Sequence, residues 1–82
     1  MQPPKNLKAF KNSVWAKAKT PRRGGGGLRD RWKDKQDGTI YEWDYQHGRV
    51  EKYNSRGQHV GEFDADTGEQ TGPAIPGRRI EP

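Results

Sequence analysis

Residues 40–53 read IYEWDYQHGRVEKY, and this stretch decides the fold. Its two ends are rich in β-branched and aromatic residues, which favour strands, while residues 45–48 between them have the composition of a tight turn. We therefore predict an antiparallel hairpin with strands at 39–44 and 49–53. In a hairpin with a four-residue turn, the register pairs Asp44 with Arg49, Trp43 with Val50, and Glu42 with Glu51.

Turn sequences recur about every ten residues after this hairpin, which is the spacing of an antiparallel meander. Residues 54–57 and 64–68 have turn compositions. We predict a third strand at 58–63 and a short fourth strand at 69–71. Residues 78–80 are expected to pair as a last edge strand.

Upstream of the hairpin the pattern changes. Apolar residues recur at spacings of three and four, and they are Leu7, Phe10, Val14 and Trp15. This spacing predicts a short amphipathic helix. Four consecutive glycines at 24–27 interrupt any regular element and predict a flexible linker. The expected fold is mainly β (α+β). It is one domain with a helical segment at 1–18, a basic Gly-rich arm at 19–38 and a sheet at 39–82.

Composition excludes several classes of protein. The chain has 82 residues, no cysteine and only 27% hydrophobic residues. A disulfide scaffold and a zinc site built on thiolates are therefore excluded. No apolar run approaches the roughly 20 residues of a membrane span. The chain is also too short for a Rossmann or TIM-barrel fold and can form only a thin core.

Charge is distributed unevenly along the chain. The formal net charge is +5, and residues 1–38 carry eleven Lys/Arg against three acids, whereas residues 39–82 carry five against eight. A basic segment of this kind indicates a polyanionic partner, and nucleic acid is the first candidate. A membrane surface is less favoured, because no helix with a large apolar face is expected.

One face of the predicted hairpin is crowded with ionisable groups. Strand alternation places Glu42, Asp44, Arg49, Glu51 and Tyr53 on this face, and His47 lies in the turn above them. Such a face is either solvated surface or a site for acid–base chemistry. RNA cleavage needs a base for the ribose 2′-hydroxyl, an acid for the leaving oxygen and a cation for the phosphorane. The two histidines match no metal-ligand spacing, so no metal or cofactor is predicted. His59 is interpreted as a surface or packing residue.

The sequence resembles the cytotoxic domain of the ribosomal-RNA-cleaving colicins and cloacin, which also ends some contact-dependent inhibition toxins. The resemblance covers residues 19–80. Its motifs are KTP at 19–21 with the glycine run, RW at 31–32, YEWDxQHG at 41–48, GQHVGEFD at 57–64, GP at 72–73 and PGRRI at 76–80.

The resemblance implies a strongly twisted antiparallel sheet and a toxin ribonuclease that cuts one phosphodiester in the decoding site of 16S rRNA without a metal. It implies the catalytic residues Asp44, His47, Glu51 and Arg78. Glu51 would be the general base, and His47 the general acid or a phosphate stabiliser. Arg79 is an alternative to Arg78, because the preceding loop is one residue longer here. The residues predicted to contact RNA are Arg22, Arg23, Arg29, Arg31, Lys33, Tyr53 and Arg79.

The resemblance also implies partners and a place of action. The toxin would leave the producing bacterium and act on ribosomes in the target cytoplasm, as a monomer or in a heterodimer with an acidic immunity protein. One alternative is a non-catalytic RNA-binding module with Trp32, Trp43 and Tyr41 as stacking platforms. A second alternative is an inert domain whose acidic face recruits a partner.

Overall fold

Six antiparallel strands form one sheet whose spatial order equals their order in the sequence. The structure is a computed structural model and describes all residues, Met1–Pro82. The strands are β1 Ser13–Ala16, β2 Arg31–Asp34, β3 Ile40–Asp44, β4 Arg49–Tyr53, β5 His59–Phe63 and β6 Gln70–Gly72.

The predicted central hairpin is confirmed in its strands and its register. Asp44 pairs with Arg49, Trp43 with Val50, and Glu42 with Glu51. The turn forms because the Asp44 side chain accepts hydrogen bonds from the backbone of the next residues, which mimics a backbone turn. The backbone N–H of Gly48 then closes on the Asp44 carbonyl at 2.9 Å.

The later strands also lie close to their predicted positions. β5 and β6 each begin one residue after the predicted start, and the expected edge strand is reduced to one bridge between Gln58 and Arg79. A β-bulge interrupts the pairing of β4 with β5, so that Tyr53 pairs with His59 and not with Val60. A bulge shifts the alternation of side chains between the two faces.

The prediction of a short N-terminal helix is wrong. The chain contains no helix, and residues 13–16 form the edge strand β1. Leu7 is buried through a turn, whereas Val14 and Trp15 are exposed. The apolar residues therefore do not share one helical face. Val14 and Trp15 have high strand propensity, and pairing with β2 satisfies their backbone groups in a way that a short isolated helix could not. No helix that could span a membrane is present.

The glycine run is also ordered differently from the expected flexible linker. Thr20 and Arg29 pair across a small hairpin, because the Arg29 N–H donates to the Thr20 carbonyl at 2.7 Å and the Arg22 N–H donates to Gly27 at 2.9 Å. Gly24 to Gly27 form its tip with φ from 82° to 112°, a region that favours glycine. We call residues 20–29 the basic hairpin.

The hydrophobic core lies on one face of the sheet. Trp32, Tyr41, Trp43 and Val50 form its floor, and the N-terminal segment covers them through Leu7. The ring of Phe10 stacks on Tyr41 with centroids 4.5 Å apart. The opposite face carries Glu42, Glu51 and Glu62 in adjacent register. The sheet therefore separates an apolar side from a side that holds the ionisable groups.

Candidate active site

A cavity of about 570 Å³ opens on the polar face of the sheet. Strands β3 to β5 and the turn after β3 contribute its acidic and imidazole groups. The basic hairpin and the segment after β6 contribute arginines. The residues that line the cavity and carry ionisable side chains are Arg22, Arg23, Arg29, Asp44, Tyr45, His47, Glu51, His59, Glu62 and Arg78.

Asp44 and His47 form the first pair. The Oδ2 atom of Asp44 lies 2.7 Å from Nδ1 of His47, while Oδ1 accepts the backbone N–H groups of Gln46 and His47. Burial raises the pKa of Asp44, but the hydrogen bonds from His47 and Gln46 outweigh it, and the net pKa is lowered. Asp44 is therefore an ionised acceptor that orients the imidazole. The His47 side chain is 59% exposed, and its Nε2 atom makes no hydrogen bond within the protein.

Glu51 and His59 form the second pair, which is buried. Oε1 of Glu51 lies 2.7 Å from Nε2 of His59. Nδ1 of His59 accepts the backbone N–H of Ile75 at 3.0 Å. Since Nδ1 is an acceptor, these contacts assign the proton to Nε2, which donates to Glu51. One oxygen of Glu51 is thereby held in place, and the other makes no hydrogen bond within the protein.

His59 is a site residue that sequence reasoning missed. Simple alternation along β5 would place Glu62 and Val60 on one face and His59 on the other. The bulge opposite Tyr53 turns His59 to the polar face. The only sequence signal for His59 was that it lies in the motif at 57–64 that carries the resemblance. That motif does not reveal the bulge that brings His59 to Glu51.

Arg78 reaches the cavity from the C-terminal segment. Its Nε donates to the hydroxyl of Tyr53 at 3.1 Å, and its Nη1 lies 3.7 Å from Oε1 of Glu51. Tyr53 is only 1% exposed, and burial raises its pKa, so it is a neutral hydroxyl that holds the guanidinium. Arg79 is exposed and does not line the cavity.

The residues predicted to contact RNA fall into two groups. Arg22, Arg23 and Arg29 line the cavity, and Nη1 of Arg29 is buried without a hydrogen-bond partner. A buried guanidinium N–H without an acceptor is costly, and a phosphate oxygen would satisfy it.

The others, Arg31, Lys33, Tyr53 and Arg79, do not line the cavity, and their contact with RNA stays a prediction. Arg31 is 2% exposed, and its guanidinium binds Oε2 of Glu42 at 2.7 Å. Its burial, together with this contact, keeps the guanidinium from presenting a freely exposed charge to RNA. Lys33 is exposed in β2, between β1 and β3, and does not line the cavity. Tyr53 acts inside the protein as the support of Arg78.

Glu62 is a further cavity residue that the sequence analysis did not single out. It lies opposite Glu51, and its Oε1 accepts the hydroxyl proton of Thr71 at 2.7 Å. Ligand atoms of Asp44, His47 and Glu62 lie within 4.8 Å of one another. These three residues could hold a divalent cation. The prediction of a site without metal stays a prediction.

The aromatic residues proposed as stacking platforms are packed inside the protein. Trp32 is 0%, Tyr41 4% and Trp43 5% exposed. The indole N–H groups of the two tryptophans donate to the carbonyls of Lys5 and Met1. Stacking of RNA bases on these rings would require the N-terminal segment to leave the core.

Comparisons with known proteins agree with the resemblance and extend the matched residues to the N-terminal segment. The family model described as Cytotoxic matches residues 1–81. The chain is 50% identical to cloacin and to colicin-E6 of Escherichia coli, in each case over 66 residues or 79% of its length. It is 50% identical to colicin E3 of the same organism over 64 residues. The chain spans 12% of the length of each of these relatives.

Proposed function

The chain belongs to the Cytotoxic family, the cytotoxic domains of the colicins and cloacin, and from that premise we propose that it is a toxin endoribonuclease. Its substrate is the decoding site of small-subunit (16S) rRNA, and cleavage proceeds through the ribose 2′-hydroxyl without a metal ion. The observation that carries the proposal is the convergence of two carboxylate–imidazole pairs and four arginines on one cavity.

Glu51 is the general base of the proposed reaction. Its Oε1 is held by His59, so that the free oxygen has a defined position. The free oxygen of Glu51 takes the proton of the ribose 2′-hydroxyl. The ribose 2′-oxygen then attacks the adjacent phosphorus, and a 2′,3′-cyclic phosphate forms as the bond from phosphorus to the 5′-oxygen breaks.

His47 is the general acid. The Asp44 carboxylate accepts a hydrogen bond from the N–H at Nδ1 of His47 and so stabilises the imidazolium. The Nε2 atom of His47 is then free to give its proton to the departing 5′-oxygen. Arg78 and Arg29 supply positive charge for the phosphorane, since both line the cavity and one guanidinium N–H of Arg29 is unpaired. Arg78 is preferred to Arg79 because Arg79 does not reach the cavity.

The proposed partners follow from the family and from charge. The ribosome is the substrate, and an acidic immunity protein in the producing cell is the expected inhibitor. The formal net charge of +5 favours both contacts. Delivery from a producing bacterium to the cytoplasm of a target cell belongs to the same proposal.

The test uses two substrates. Intact bacterial ribosomes in magnesium buffer report the position of the cut, read on a denaturing gel as one short 3′-fragment of small-subunit rRNA. A short RNA hairpin with the decoding-site sequence reports the chemistry in the presence of chelator. We expect a 2′,3′-cyclic phosphate end in chelator and no cleavage when the single ribose at the cut carries a 2′-deoxy substitution.

Two matched carboxylate variants test the role of Glu51. Glu51→Gln should lower the cleavage rate by at least about a hundredfold, because general-base catalysis contributes that much. Glu62→Gln changes the neighbouring cavity carboxylate on the next strand and should lower the rate less than about tenfold. Equal losses in both variants would contradict the assignment of Glu51 as base. Ribosome binding by the wild type without any scission would favour the non-catalytic RNA-binding module.

A further inference from the structure

The basic hairpin contacts the turn at residues 45–48, which we call the catalytic turn, through the side chain of Tyr45. The guanidinium carbon of Arg22 lies 3.8 Å from the centroid of the Tyr45 ring, which is a close cation–π contact. The hydroxyl of Tyr45 accepts the backbone N–H of Asp30 at 3.3 Å. We propose that Tyr45 is a positioning residue that holds the basic hairpin beside the catalytic turn, so that its arginines form a preformed wall for RNA phosphates. The functional part of this inference rests on the proposed ribonuclease activity.

The remaining contacts of the hairpin lie at its base. The hydroxyl of Thr20 donates to the buried carboxylate of Glu42 at 2.6 Å, and the backbone carbonyl of Asp30 accepts the N–H of Trp43. The hydrogen bonds of the tip are internal: the Arg22 N–H donates to Gly27, the Gly25 N–H donates to Arg22, and Nε of Arg22 donates to the Leu28 carbonyl at 3.2 Å. A Cβ atom added to any of the four tip glycines would have no neighbouring atom within 4 Å. The tip is therefore anchored to the body mainly through the stack of Arg22 on Tyr45.

The positive charge of the basic hairpin favours an anchor of this kind, because repulsion between its arginines acts to open it. Arg22, Arg23 and Arg29 bring three positive charges to one small hairpin, and none of them forms an ion pair. Mutual repulsion and four flexible glycines favour an open hairpin in the absence of RNA. The Tyr45 ring opposes this opening through the Arg22 guanidinium. Stacking uses the face of the guanidinium and leaves N–H groups on its edge for a phosphate.

Position in the sequence strengthens the inference. Tyr45 directly follows Asp44 and lies two residues before His47, in the turn that carries the proposed acid. A tyrosine at this point fixes the position of the arginines of the basic hairpin relative to the position of His47. Preorganisation of this kind increases affinity, because the bound substrate need not order the hairpin.

Limited trypsin digestion tests the position of the hairpin without any substrate. Arg23 is exposed at the start of the glycine tip, but cleavage after it requires the hairpin to adapt to the active site of trypsin, and a hairpin held to the body adapts more slowly. We expect Tyr45→Ala to be cut there about threefold to tenfold faster than the wild type. Tyr45→Phe keeps the ring and should be cut at nearly the wild-type rate. Cleavage after Arg56, in the turn between β4 and β5, is the internal control and should be unchanged.

A second measurement links the hairpin to the substrate. Tyr45→Ala should raise the KM for ribosomes about threefold to tenfold, while the single-turnover rate at saturating ribosomes changes less than about twofold. Tyr45→Phe should restore the wild-type KM. A urea unfolding midpoint within error of the wild type for both variants ensures that the effects are local.

The outcomes separate the two proposals. Equal trypsin cleavage after Arg23 in the wild type and in Tyr45→Ala would overturn the positioning role, whatever the activity. Faster cleavage with an unchanged KM would overturn the coupling of the hairpin to substrate binding. If the wild type cuts no rRNA, the proposed function fails, and the trypsin result still decides whether Tyr45 positions the hairpin.

Discussion

The two histidines each lie 2.7 Å from a carboxylate, yet their surroundings give them different roles. The side chain of His47 is 59% exposed, whereas that of His59 is 1% exposed. His59 uses both ring nitrogens, because Nε2 contacts Glu51 and Nδ1 accepts the N–H of Ile75. His47 keeps one ring nitrogen free. A free nitrogen suits proton transfer, while a fully bonded ring suits support of its neighbour.

This difference predicts that two alanine substitutions change stability by different amounts. His59→Ala removes the hydrogen bonds to Oε1 of Glu51 and to the N–H of Ile75, and leaves Glu51 with only the longer contact to Arg78 at 3.7 Å, so we expect the free energy of unfolding to fall by about 2 kcal/mol. His47→Ala removes an exposed contact and should change it by less than about 0.5 kcal/mol. Urea denaturation at neutral pH measures both values. Comparable losses in stability would contradict the distinct roles.

Among the elements of the fold, the basic hairpin and strands β2 and β3 meet at one buried ion pair. Arg31 of β2 donates to Oε2 of Glu42 on β3 through Nε and Nη2, at 3.1 Å and 2.7 Å. Thr20, at the base of the hairpin, donates to the same oxygen. The other oxygen, Oε1, is buried without a partner. The pair therefore connects three elements at the cost of desolvating two charges.

Removal of one partner of this pair should be far more harmful than replacement of both. Glu42→Ala leaves the Arg31 guanidinium buried and unpaired, and the expected loss of stability is about 3–5 kcal/mol. The double variant Arg31→Met with Glu42→Leu removes both charges and should recover most of that loss. Thermal and urea unfolding of the two variants measure the difference. A double variant as unstable as Glu42→Ala would show that packing at this position matters more than charge.

At the scale of the whole molecule, the sheet separates two functions. Its apolar face is covered by the N-terminal segment and provides a small core of six buried residues. Its polar face carries the carboxylates, and the basic hairpin adds arginines around them. Negative groups therefore lie at the floor of the cavity and positive groups at its walls. Under the proposed function, the positive walls attract a phosphodiester and the floor presents acid–base groups to it.

The charge distribution predicts a salt dependence that differs between two arginines. In the Glu51→Gln background, which keeps the RNA intact, affinity for the decoding-site hairpin should fall steeply with salt. Adding Arg23→Gln should reduce the slope of log K against log salt by about 1, because one phosphate contact is lost. Adding Arg56→Gln, a matched change in a turn away from the cavity, should leave the slope unchanged. Equal effects of both substitutions would mean that only total charge matters.

Local patterns predicted the central hairpin well, because its strand alternation and its turn depend on neighbours in the sequence. The pairing of Asp44 with Arg49 and of Glu42 with Glu51 followed from the length of one turn. The pattern at 7–15 failed because spacings of three and four also occur in a segment that turns and then pairs as an edge strand. Long-range pairing with β2 decided between these structures, and no local signal reports it.

What the sequence by itself determined is the meander, the polar face with Asp44, Glu51 and the nearby His47, and the family that these motifs identify. These features depend on alternation, on turn chemistry and on residue identity. Tertiary structure alone decided that a bulge turns His59 to Glu51, that Arg31 pairs with Glu42 in a buried contact, and that Arg22 of the basic hairpin stacks on Tyr45. Each of these contacts joins segments whose spatial approach depends on how the sheet pairs and bends, and local sequence carries no signal for that approach.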